Sequence, residues 1–396
     1  MNWVFGFLQG MYWMSYCIMF PFLVRMCTEF GYDDFQSGVV LTGATIANLV
    51  MQPVIGSICD KLLHIKPLFI AMFAAGGAFS LLLPVGKKNF FVLFATFLLL
   101  SACIQTLQYI IDIWSVRISM TGVEYNYGFS RSFGSVFYAV TALCFGPALD
   151  KWGMDIITPV FIVCCAITCI VAFMVNEKGA AEMLRTQRAN GGEKKKSGVP
   201  FMKAVGMLLK NKKYLFFLIA YFVMQIGNLP VYNYAARKFE ILGGGSALFG
   251  LALFFMAISE VPMLVSLNRL RAKIPAETLV MLSFFGMVLR ASGIAYVGKP
   301  VLMAFAFLLQ CISYGIFIGA MIIYMSEIVP EEILFTAQTV FAAVSIGLSG
   351  VIGNLFGGYV ANTWGVIEMM HVFVVFTVIG SVFFALTVLL GRKKKA

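Results

Sequence analysis

The 396 residues are 61% hydrophobic and only 12% charged, against roughly a quarter charged in soluble proteins, which excludes a water-facing globule. A formal charge of +11 suits a nucleic-acid binder, but the lysines and arginines sit in short loops and the C-terminal tail, where membrane topology puts them, and that class is excluded too. Nine cysteines, most of them inside apolar runs (Cys17, Cys103, Cys164, Cys165, Cys169, Cys311), lack the paired spacing of a disulfide or zinc framework.

Apolar stretches of about twenty residues recur from end to end, long enough at 1.5 Å per residue to cross a hydrocarbon core about 30 Å thick. The first six helices are predicted at 3–26, 37–59, 67–85, 90–114, 127–149 and 156–175. The first has no short apolar run followed by a small-residue cleavage site, so it is expected to remain as a helix. Residues 177–213 then read as a linker with ten basic residues, the run 191–198 and a short amphipathic piece at one end. Six more helices are predicted at 214–236, 246–267, 277–297, 301–325, 334–361 and 366–390. The chain therefore reads as an all-α membrane protein: a six-helix bundle over 1–176, a cytoplasmic linker over 177–213 and a second six-helix bundle over 214–396.

Taken alternately, the loops on the linker side and the tail hold 20 of the 29 basic residues and the opposite loops seven, an asymmetry that predicts both termini in the cytoplasm. The halves also echo each other. Helix two ends with Pro53 seven residues before Asp60, and helix eight with Pro262 seven before Arg269. The segment Phe145-Gly-Pro-Ala-Leu-Asp-Lys-Trp152-Gly153 is matched by Phe356-Gly-Gly-Tyr-Val-Ala-Asn-Thr-Trp364-Gly365.

Charges inside such helices are costly and point to function. Glu260 and Arg290 fall about 20 Å from their helix entry points, near the midplane. They are either a structural pair or ligand and coupling groups. Arg131 begins helix five, with Ser135 and Tyr138 on the same face at i+4 and i+7. An arginine fork suits hydroxyl or carboxylate oxygens, and an aromatic ring suits the apolar face of a sugar or a base. Asp112, late in helix four, is the natural counter-ion, although its position also suits a solvated helix end. His64 and His371 are too isolated for metal binding, and no metal or cofactor is expected. Clustered glycines on helix eleven read as close packing.

The stretch Gln52-Pro53-Val-Ile-Gly56-Ser-Ile-Cys-Asp60-Lys61 resembles the gating motif of the major facilitator superfamily. Leu63 and Ile65 depart from its pattern. Tyr127-Gly128 through Arg131 to Gly134-Ser135 is similar to the helix-five signature of the oligosaccharide:cation symporter group, the lactose-permease branch. The resemblance runs nearly end to end. It implies the major facilitator fold, with two six-helix halves related by a pseudo-two-fold axis, and alternating access. Residue by residue it implies a substrate-binding carboxylate at Asp112, its guanidinium partner at Arg131 and a sugar-stacking aromatic at Tyr138. Glu260, Arg290 and Tyr221 take the places of the C-terminal network, and Gly56, Asp60 and Lys61 those of the gating motif. Where that group has a His and a proton-carrying Glu on helix ten, this chain has Gln310 and Ser313, so coupling by that route is missing. Asp112 and Glu260 remain as candidate proton carriers.

Together these readings give a multi-pass transporter of the cell membrane, expected to be a monomer. It moves a small polar solute with protons, another cation or none as the coupling ion. Sugars, glycosides and oligosaccharides come first and nucleosides next. A drug or metabolite exporter and a non-transporting sensor remain alternatives, while an enzyme would need a catalytic constellation that the sequence lacks.

Overall fold

The computed structural model describes residues 2–121, 126–189 and 199–393. Residues 191–198 of the expected linker, and Lys394 and Lys395 of the basic tail, lie outside them. Among the described residues twelve helices are long and apolar enough to cross a membrane. They are α1 (Asn2–Glu29), α2 (Asp34–Lys61), α3 (Lys66–Gly86), α4 (Phe90–Ser119), α5 (Gly128–Trp152), α6 (Met154–Phe173), α7 (Lys212–Asn233), α8 (Gly245–Met263), α9 (Ala276–Tyr296), α10 (Pro300–Ile328), α11 (Glu331–Trp364) and α12 (Val366–Leu390). The chain divides into two compact units, Met1–Lys194 and Lys195–Ala396, with six of these helices in each.

Polar residues at the helix ends set where each span begins and stops. Asp33 opens α2 with a reciprocal cap: its carboxylate accepts from Gln36 N at 2.7 Å, and the Gln36 side chain accepts from Asp33 N at 3.0 Å. Asn89, Asn126 and Asn211 do the same for α4, α5 and α7 by accepting from the backbone two or three residues on. At the other end, the echo between the halves has a backbone cause. Gly153 and Gly365 follow Trp152 and Trp364 with φ of 73° and 98°. Each donates its N–H to a last-turn carbonyl, Leu149 O or Ala361 O, at 2.9 Å. Only glycine takes that conformation without strain, so both copies of the Trp-Gly pair terminate a span.

Three spans carry a π or 3₁₀ turn within their length. The α4 helix widens to a π turn over Ser101–Gln105. In α10, a 3₁₀ turn over Phe307–Gln310 is followed by a bend before helix resumes at Tyr314. A second π turn occupies Ala343–Leu348 of α11. Such turns release backbone groups from the regular ladder and re-aim side chains. The core of the second unit is aromatic: Phe217, Tyr221, Phe284, Phe317, Phe341 and Phe384 are all buried and in mutual ring contact, with Tyr221 and Phe317 stacked at 4.3 Å between centroids.

Candidate functional site

In the second unit three polar side chains from three helices form a chain. Gln310 Nε2 donates to Glu260 Oε1 at 2.5 Å, and Arg290 Nη1 donates to Gln310 Oε1. Glu260 and Arg290 are thus linked through an interposed amide. Arg290 is 3% exposed and Gln310 7%, so both depend on these bonds. The arginine also lies over the rings of Tyr314 and Tyr232, at 5.0 and 5.7 Å from their centroids, a cation–π setting that tolerates a buried guanidinium.

Packing on α9 explains how Gln310 reaches Arg290. A β-carbon on Gly286 would stand 2.6 Å from Ile312 O, and one on Gly293 2.7 Å from Ala306 Cβ. These glycines, one turn to either side of Arg290, let the irregular stretch of α10 press against α9. Ser313 is fully buried in the bend, and its hydroxyl donates to Gln310 O at 3.3 Å.

A second cluster adjoins this one. Asn228 Nδ2 donates to Gln225 Oε1 at 3.1 Å and to Tyr314 Oη at 2.8 Å, and Tyr314 Oη donates to Gln225 Oε1 at 3.0 Å. Both amides are 2% exposed. Tyr221 sits in the aromatic core, 2% exposed and stacked on Phe317.

In the first unit Asp112 is half-buried and held by amides. Gln108 Nε2 lies 3.1 Å from each carboxylate oxygen, and Gln9 Nε2 3.2 Å from Oδ1. Nearby, Gln52 Nε2 donates to Tyr109 Oη at 2.8 Å. Arg131 lies 4.5 Å from the centroid of Trp13. Gly134 makes room: a β-carbon there would meet Trp13 Cδ1 at 2.5 Å and Arg131 Nη1 at 2.8 Å. Tyr138 is 5% exposed and edge-on to Trp13 at 6.1 Å. Ser135, half-buried, shares its helix face.

Sequence reasoning missed Trp13, Gln9 and Gln108. The available signal was polar Gln9 and amphipathic Trp13 one turn apart in an otherwise apolar helix. It also missed the side chains that hold the loop ends. At the gating motif Gly56 has open space around it, and Asp60 and Lys61 are exposed at the end of α2. Arg117 closes that helix by donating to Cys59 O and to Leu62 O, the latter at 2.9 Å. Glu177, 7% exposed, accepts from Ile65 N and Lys66 N at 3.1 and 3.0 Å and stands 3.5 Å from His64 Nδ1. A cleft of about 370 Å³ lined by Met26, Phe30, Leu83, Lys87, Asp155 and Thr158 shares no residue with either cluster.

The family model described as "MFS_1 like family" matches residues 6–375. The chain belongs to this family of major facilitator transporters. It is 25% identical over 364 residues to an uncharacterized transporter, YwbF, of Bacillus subtilis (strain 168), covering 91% of this chain and 86% of the relative. It is 23% identical over 385 residues to a maltose permease of Geobacillus stearothermophilus, covering 95% and 92%. The solved structure of the nucleoside transporter NupG superposes with a TM-score of 0.79 at 15% identity, covering 97% of this chain and 98% of that one. That likeness carries the fold. The family and these relatives are transporters, not enzymes.

Proposed function

We propose that this member of the family is a secondary transporter that carries a small, multiply hydroxylated solute, a sugar or glycoside, across the cytoplasmic membrane by alternating access. Both termini lie in the cytoplasm. The observation that carries the reading is the Glu260–Gln310–Arg290 chain. In it a neutral amide donates to the acid and accepts from the base. A substrate hydroxyl also does both, so it can replace the amide at either charge without leaving a buried ion uncompensated.

Taken by itself, the Trp13, Arg131 and Tyr138 group of the first unit offers ring faces for apolar C–H surface and a guanidinium fork for oxygens. A permease for maltose among the relatives agrees with this substrate class. Glu260 is the candidate proton carrier, since Gln310 cannot titrate, and Asp112 is the second candidate.

A nucleoside is the second reading, favoured by the buried Gln225–Asn228–Tyr314 cluster. Two adjacent side-chain amides match the donor and acceptor edge of a heteroaromatic base better than they match a ring of hydroxyls.

The test is uptake into proteoliposomes, screening disaccharides, monosaccharides and nucleosides with and without an imposed pH gradient. Accumulation of a sugar or glycoside supports the first reading, and accumulation of a nucleoside alone replaces it with the second. Binding without accumulation, or pumping restricted to apolar drugs, would remove both. Glu260→Gln should abolish gradient-driven accumulation and spare exchange; accumulation that survives intact would free Glu260 of the coupling role.

A further inference from the structure

Just before α7, a short helix, Phe201–Lys210, has three distinct sides. Ala204 and Leu208, one turn apart, are buried in the core with Ile333 and Ala337 of α11. On the flank next to them Phe201, Met202 and Leu209 are 58%, 77% and 55% exposed. Lys203 and Lys210, seven residues apart and therefore aligned, are exposed on the far side. The first stripe satisfies the protein. The second leaves a continuous apolar strip of large, exposed side chains among the described residues.

The depth of the helix follows from Asn211, which immediately succeeds it. Its side chain accepts from Tyr214 N at 3.2 Å and so starts α7, and its Nδ2 donates to Ile328 O at 2.6 Å, where α10 ends. A residue that caps the start of one span and the end of another lies where spans end, at the membrane–water boundary. The helix before it is therefore held at that level. Lys212 and Lys213 are exposed there as well, and among the described residues none of the four lysines closes an ion pair. Among the acids at this end, Glu327, Glu331 and Glu332 are exposed at the end of α10 and the start of α11, and Glu277 is half-buried at the start of α9.

We infer that Phe201–Lys210 is an interfacial anchor for the second unit. Its Phe201, Met202 and Leu209 strip enters the acyl boundary of the cytoplasmic leaflet, while Lys203 and Lys210, with Lys212 and Lys213, bind anionic phospholipid headgroups. An apolar stripe flanked by lysines is the arrangement that lies in the plane of an interface. Each lysine near an anionic surface strengthens attachment by about fivefold, and salt screens the effect.

The full chain in nanodiscs of phosphatidylcholine, with and without phosphatidylglycerol, provides the test, with hydrogen exchange read in segment 201–210. Exchange should slow on adding phosphatidylglycerol by about fivefold for each lysine engaged, and the slowing should disappear in high salt and in a variant with Lys203, Lys210, Lys212 and Lys213 all changed to Gln. Equal exchange in both lipids, or a lipid effect that survives the fourfold substitution, would overturn the headgroup assignment. A Phe201→Ser/Met202→Ser variant should exchange faster in both lipids. Unchanged exchange there would overturn insertion. These side chains are exposed, so unfolding is not expected to intervene, and the melting point of each variant in detergent checks that.

Discussion

Replacing Gln310 with leucine should do more damage than its neutral charge suggests. The substitution keeps the volume of the side chain and removes one bond to Glu260 and one to Arg290. Neutral interhelical hydrogen bonds inside membranes contribute about 0.6 kcal/mol on average, and a charged partner roughly doubles that. Each bond is then worth about 1 to 2 kcal/mol, a five- to thirtyfold effect if expressed in substrate binding.

A double-mutant cycle isolates the quantity. Gln310→Leu, Glu260→Gln and the combined variant are compared by thermal unfolding in detergent and by substrate-induced stabilisation. Because the residues touch, the combined effect should fall short of the sum by about 1 to 2 kcal/mol. Additivity within about 0.3 kcal/mol, or wild-type behaviour of Gln310→Leu, would show that the bridge carries no energy and would remove the main support for a hydroxyl-exchange site.

Trp13→Leu removes the ring beneath Arg131. At about 0.5 to 2 kcal/mol for such a contact, the substrate concentration for half-maximal uptake should rise about two- to thirtyfold, while Trp13→Phe should recover most of the loss. Arg117→Met opens the end of α2 by leaving Cys59 O and Leu62 O without their donor. It should destabilise the first unit by about 2 kcal/mol, read as a lower melting point, with Arg117→Lys intermediate. Lys238, in the short helix Ala235–Ile241, is 1% exposed and donates to Ile294 O and Ala295 O at 2.8 and 2.5 Å. Burial pushes its ammonium down from 10.5 to about 8. Between those values the unfolded chain holds the extra proton, so this group's contribution to stability should rise with pH, by up to about 3 kcal/mol in all. Melting points measured across that range should show the rise, and Lys238→Met should lose it.

Much of the fold was legible because it depends on local rules. Helix number follows from apolar run length. The Trp-Gly echo that marked the two halves proved to be a left-handed stop at Gly153 and Gly365, a backbone requirement that sequence displays directly. The identities of Glu260, Arg290, Asp112 and Arg131 were also legible, since a charge in a lipid-length helix stands out. Their contacts were not. That Gln310 stands between Glu260 and Arg290 depends on a 3₁₀ turn in α10, which depends in turn on Gly286 and Gly293 admitting it. No periodicity in α10 announces such a turn. Trp13 was hidden for the same reason: its place over Arg131 exists because Gly134, on another helix, leaves room. Glu177 escaped notice as one more polar residue of the linker, although it caps the start of α3.

Taken separately, the two units handle their charges by one chemical scheme. In each, the acid is held by amide donors: Asp112 by Gln108 and Gln9, Glu260 by Gln310. In each, the arginine lies over aromatic rings, Trp13 for Arg131, and Tyr314 and Tyr232 for Arg290. In α4 and α10, the fourth helix of each unit, an irregular turn either precedes or contains the amide involved. Gln108 follows Ser101–Gln105, and Gln310 closes Phe307–Gln310. On the transport reading proposed above, a solute oxygen exchanges with one of these neutral neighbours, and exchanging an amide for a hydroxyl separates no pair of opposite charges.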